Sequence, residues 1–151
     1  MWRQTELSLQ QVPICPNVGV NYPYKAYLDT MLSASHEAAE SVLQAELFYL
    51  DDAGFHESVN LAEPVNSGLE VRSKYFSGGI ECQMEGGLHV DFCKVPRLLL
   101  NGVPVNVKMF PHTGAFALMS GGNERYELEI TDAVLRVCTV EPASGVLLGH
   151  S

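Results

Sequence analysis

The sequence has no apolar run near the ~20 residues that a membrane-spanning helix needs. It also has no CxxC pair, no GxGxxG or P-loop, no GxSxG and no HExxH. These absences remove membrane spans, zinc ribbons, nucleotide cradles, serine hydrolases and zincins from the expected readings. Positive charge is scarce as well. Nine Lys and Arg stand against eighteen Asp and Glu, for a formal charge of −9 with no segregated basic patch. A polyanion is repelled by such a chain, so direct nucleic-acid binding is not expected. Cysteine is sparse and scattered, at Cys15, Cys82, Cys93 and Cys138. The opening Met1-Trp2-Arg3-Gln4 leads into polar residues rather than an apolar leader. We therefore expect reduced thiols, packed as small apolar groups in a soluble protein of an intracellular reducing compartment.

What remains is apolar material. With 46% hydrophobic residues in 151, the chain suits a single domain, residues 1–151, whose size class buries roughly 70% of its unfolded surface. The densest signal is Leu98-Leu99-Leu100-Asn101-Gly102-Val103-Pro104-Val105-Asn106-Val107. Asn-Gly tolerates the positive φ of a type I′ turn, and Val103, Val105, Val107 and Met109 alternate with polar neighbours. This predicts a β-hairpin. Leu7 and Leu9 alternate in an early strand, followed by a loop marked by Pro13, Pro16 and Asn17-Val18-Gly19. Further strands are expected at Leu69–Val71, Leu88–Cys93, Phe116–Met119, Tyr126–Ile130 and Ala133–Val140, with turns at Gly78-Gly79 and Ser120–Asn123.

Two helices interrupt this pattern. Tyr24, Tyr27, Leu28, Met31 and Leu32 fall at i, i+3, i+4, i+7 and i+8, one helical face, with Pro23 suited to the first turn. Ser35 is a suitable N-cap for a second helix striped by Ala39, Val42, Leu43, Leu47 and Leu50 and ended by Asp51–Gly54. Residues 51–68 read as loop. The fold class expected is mainly β, an antiparallel jelly roll or β-sandwich, incomplete, with a two-helix insertion at 22–50. The first strand has little lead-in and the tail Ser144–His150 ends on an apolar run, so part of a larger protein is expected.

Few residues suggest chemistry. His89, Asp91 and Cys93 would share one face of a strand, as a metal site or a Cys–His pair would require. A fourth zinc ligand and an oxyanion donor are not evident. His36 and Glu40 lie one helical turn apart, a common solvated pattern. His56, His112 and His150 lie in loops or at the end without ligand spacing. Gly78-Gly79, Gly86-Gly87 and Gly121-Gly122 read as turns rather than phosphate cradles. Glu85, Glu124, Glu127 and Glu129 lack calcium-loop spacing, and Glu127 and Glu129 fit the wet face of a strand. No enzyme, cofactor or metal is expected. Tyr22, Tyr24 and Tyr27 cluster beside Pro23. The expected reading is that they pack their helix on its own sandwich; the alternative is an interaction surface, since aromatic groups carry much of interface energy.

In order along the chain come Trp2-Arg3-Gln4-Thr5-Glu6-Leu7-Ser8-Leu9, Asn21-Tyr22-Pro23-Tyr24-Lys25-Ala26-Tyr27-Leu28-Asp29-Thr30-Met31-Leu32 and Gly87-Leu88-His89-Val90-Asp91. Leu99-Leu100-Asn101-Gly102-Val103 and Ile130-Thr131-Asp132-Ala133-Val134-Leu135-Arg136-Val137 follow. The series resembles the major capsid proteins of Polinton (Maverick) elements and adintoviruses. That resemblance implies a double jelly roll assembling as trimers into an icosahedral shell, with further strands before Trp2 and a long continuation after Leu148. It makes this chain the later part of the first jelly roll, possessing no catalytic residues and partnered by itself and other capsid proteins in a virion or encoded by an integrated element. Cys93-Lys94-Val95-Pro96 departs from the aromatic and polar run of the family. The competing reading is a host-encoded β-sandwich that binds a protein partner through Tyr22, Tyr24, Tyr27 and the 51–68 loop. A metal-dependent enzyme at His89, Asp91 and Cys93 is the third.

Overall fold

Alternation in the first residues produces β1, Trp2–Leu9, whose Leu7 is 2% exposed. The computed structural model describes residues 1–15, 21–122, 126–143 and 145. β1 turns directly into β2, Val12–Pro13, pairing Leu9 with Val12 and Ser8 with Pro13. The connecting Gln10 and Gln11 have φ of 48° and 72°, the two positive angles of a type I′ turn. A loop was expected at Pro13 because Gln-Gln carries no turn signal; a tight hairpin stands there instead.

β3, Val105–Pro111, pairs antiparallel with the other side of β1, so the sheet order is β2-β1-β3. Its register sets Leu7 against Val107, Thr5 against Met109 and Leu9 against Val105. The alternation seen in the sequence thus forms a strand, but the expected hairpin with Leu98–Leu100 does not form. Gly102 has φ of +83°, whereas Asn101 is not in the positive region, so the turn is not type I′. Pro104 has no N–H to offer a ladder, and β3 starts only after it. Leu98 and Leu100 are left exposed.

Between these strands lie the helices expected at 22–50. α1, Tyr22–Ser33, starts with Pro23 in its first turn. α2 is one turn, His36–Ala39, where the Ser35 side chain accepts from Ala38 N at 3.2 Å. A 3-10 turn over Val42–Glu46 follows, ending at Leu47 in the left-handed region (φ 59°). The single striped helix expected here is therefore broken into two short pieces.

α3, Ser67–Phe76, replaces the strand expected at Leu69–Val71. Its cap is Asn66, 2% exposed, which accepts from Leu69 N (3.2 Å) and Asp52 N (3.4 Å) and donates to Phe55 O (3.2 Å). Glu70 and Lys74 pair one turn apart at 2.8 Å. Leu69-Glu70-Val71, with two apolar residues, is too short a run to distinguish strand from helix, and the cap decides it. Asp52 Oδ2 accepts from Ser67 N at 2.7 Å, which lowers its carboxyl below the usual range. The Arg72 guanidinium reaches back to Tyr49 O and Asp51 Oδ1. At Gly68 an added Cβ would sit 2.3 Å from Leu50 O, so only glycine fits the approach. These contacts bind the 51–66 loop to α3.

Four more expected strands, at 88–93, 116–119, 126–130 and 133–140, are not strands. Residues around 88–93 end in a 3-10 turn, Asp91–Lys94, and residues 114–117 form α4, Gly114–Ala117. Residues 127–143 have no helix and no ladder partner among the described residues, although Tyr126, Leu128 and Ile130 alternate as expected. The turns expected at Pro16, Asn17-Val18-Gly19 and Asn123, and the tail at Ser144 and 146–150, lie outside the described residues.

Among the described residues the buried apolar side chains are Leu7, Leu47 and Val90. The chain exposes 11970 Å², whereas a compact monomer of 16.5 kDa exposes roughly 7,500 Å².

Candidate interaction surface

α1 presents its two faces in the opposite sense to expectation. Tyr22 and Thr30 face inward. Thr30 is buried and its hydroxyl donates to Ala26 O at 2.8 Å. The Tyr22 hydroxyl accepts from His89 N at 3.2 Å, its ring meets His89 edge-on at 6.5 Å, and burial pushes its pKa up. Tyr24 is 61% exposed, Tyr27 57% and Leu32 86%, with Leu28 and Met31 about half exposed. The apolar stripe thus faces outward, and of the three tyrosines Tyr22 is the one turned inward. The Tyr24 ring meets Phe116 edge-on at 6.4 Å, and Phe116 stacks on His112 at 3.7 Å. The exposed stripe therefore continues across α4 as an aromatic strip.

Charge holds the inner face in place. Asp29 Oδ2 accepts from Lys94 Nζ at 2.6 Å and Lys25 Nζ at 3.2 Å, and Lys25 also pairs with Asp91 at 2.8 Å. The two ammonium groups, Lys94 first, lower the Asp29 carboxyl to about 2. The same pairing raises Lys25, chiefly through Asp91. This cluster ties α1 to the Asp91–Lys94 turn. Sequence spacing gave no hint of it, because Asp29 and Lys94 are far apart in the chain.

The other candidates separate. His89 Nδ1 is 3.5 Å from Asp29 Oδ2 and has no closer partner, Asp91 turns to Lys25, and Cys93 lies on the 3-10 turn. The three do not share a strand face, because there is no strand. Partial desolvation raises the Cys93 thiol, the reverse of what a nucleophile requires. His36 and Glu40 make a 3.2 Å exposed pair. No group of three or more His, Cys, Asp or Glu among the described residues is placed to hold a metal. All four cysteines are free thiols. Gly87 N donates to Glu46 Oε1 at 2.9 Å, so that glycine pair lies against a carboxylate. Glu127 and Glu129 are exposed, and Glu124 lies outside the described residues. Two hollows of about 110 Å³ flank the sheet and α1, well under the roughly 300 Å³ of a small-molecule site. Among the described residues no helix is long and apolar enough to cross a membrane.

No family model and no solved structure matches the chain. An uncharacterized protein of Caenorhabditis elegans is 25% identical over 128 residues, covering 83% of this chain and 28% of the worm protein. The chain spans well under half the length of that relative.

Proposed function

We propose that the chain is a structural piece of a capsid protein, built on a jelly-roll plan and assembling with copies of itself into trimeric units of a shell, without catalytic activity. The observation that carries this reading is the outward apolar face of α1, with Tyr24, Tyr27, Leu28, Met31 and Leu32 uncovered. Aromatic and aliphatic groups exposed together on one face favour burial against a partner. The word-like resemblance to Polinton and adintovirus capsid proteins supplies the class of assembly. A binding module for another protein would use the same face, and the two readings differ in what covers it.

The test is the assembly state of the full-length gene product, read by light scattering on a sizing column and by negative-stain microscopy. Trimers and closed particles are expected. A product that stays monomeric at all concentrations and takes up one foreign protein would replace the capsid reading with the binding module.

A further inference from the structure

β3 is an edge strand. β1 covers one side of it, and no other helix or strand packs against it among the described residues. An edge with unpaired N–H and C=O groups is a template for another strand. The same structure contains a strand-like segment without a ladder, residues 127–132, Glu-Leu-Glu-Ile-Thr-Asp. Paired antiparallel with Lys108 opposite Glu129, it would set Leu128 against Met109 and Ile130 against Val107, apolar on apolar. Glu127 would lie diagonal to Lys108 on the other face, a favourable charge pattern for neighbouring strands. Lys108, Glu127 and Glu129 form no ion pair among the described residues, and Glu6, across from Lys108 on β1, instead accepts from Gln4 at 2.9 Å.

The chain's own segment is held elsewhere. Thr131 Oγ1 donates to Glu81 Oε1 at 2.8 Å, and the Arg136 guanidinium lies 3.3 Å from Glu85 Oε1. We infer that the open edge of β3 is a strand-addition site filled by residues 127–132 of a second copy of this chain. The inference rests on the assembly reading in taking the partner to be another copy, and it names the contact. Passed head to tail from copy to copy, the contact closes into a ring when the rotation per copy permits.

Charge reversal on the full-length product tests it. Lys108→Glu sets acid against acid, and Glu127→Lys with Glu129→Lys sets base against base. Each variant is expected to associate about tenfold more weakly than the unaltered protein. An equimolar mixture of the two should recover part of the association, because contacts between unlike copies are complementary while a ring of three keeps one contact between like copies. Sedimentation velocity reads both, with circular dichroism to confirm folding. Lys108→Gln, which keeps no charge against Glu6, serves if Lys108→Glu does not fold, and should weaken association in the same direction. Variants that associate as the unaltered protein does, or a mixture no better than its parts, would overturn the edge contact and leave assembly standing. An unaltered product that is monomeric throughout would overturn both.

Discussion

Consider Leu28→Lys combined with Leu32→Lys on α1. Leu32 is 86% exposed and Leu28 is 55% exposed, so little of their apolar surface is buried within the chain. Substitution on a solvated helix face shifts folding stability by no more than about 0.5 kcal/mol. Lysine also keeps helix propensity close to that of leucine. In dilute solution, the urea midpoint of the double variant should therefore match the unaltered chain. Association is a different matter. Full burial of a leucine stabilises by about 1.5–3 kcal/mol, so most of one side chain and half of another amount to about 3 kcal/mol. That is about 150-fold in the association constant, before the added cost of desolvating two ammonium groups. Far-UV circular dichroism in urea reads the first quantity and sedimentation velocity of the full-length product reads the second. A loss of 2 kcal/mol or more in the dilute chain would show that this face is internal. Unchanged association would show that it is not used.

Gly68→Ala separates propensity from contact. Alanine favours a helix over glycine by about 1 kcal/mol, yet its Cβ would meet Leu50 O at 2.3 Å. We expect a net destabilisation of about 2 kcal/mol in urea unfolding, while Gly87→Ala, with nothing within 4 Å of its added Cβ, should shift by less than about 0.5 kcal/mol. A stabilised Gly68→Ala would contradict the close approach. Asn66→Ala removes the cap of α3 and two loop bonds, for an expected loss of about 2 kcal/mol and a thermal midpoint lower by about 4–8 °C. An unchanged midpoint would show that the 51–66 loop does not depend on it. Asp29 has a folded pKa depressed from 3.8 to about 2, so its contribution is present above pH 3.8 and is lost as pH falls through about 2. Carboxyl NMR should find that low midpoint, and Asp29→Asn should flatten the acid limb of stability in this window. A midpoint at the ordinary value would remove the Lys25–Asp29–Lys94 cluster from the account.

The sequence made β1, α1 and β3 legible because each carries a period long enough to count, and the Ser35 cap follows from a local hydrogen bond. The partner of β3 was not legible. Asn101-Gly102 is a strong local turn signal, but the ladder goes to β1 from the far end of the chain, and local pattern does not encode that choice. α3 was misread because Leu69–Val71 is short, while the deciding residue, Asn66, acts through its side chain. The surface was legible in composition and not in direction. Periodicity finds the Tyr24–Leu32 stripe but not which way it faces, since the contacts of Asp29, Lys94 and the Tyr22 hydroxyl on the other side of the helix are to residues distant in the chain.

On the proposed assembly, surfaces left open in one chain are covered by other copies. Amide hydrogen exchange on the full-length product, compared between dilute monomer and assembled material, tests it most directly. Residues 127–132 and the outer edge of β3 are expected to exchange rapidly when dilute and to become protected together on assembly. Protection already complete in the dilute monomer, or none gained on assembly, would contradict it.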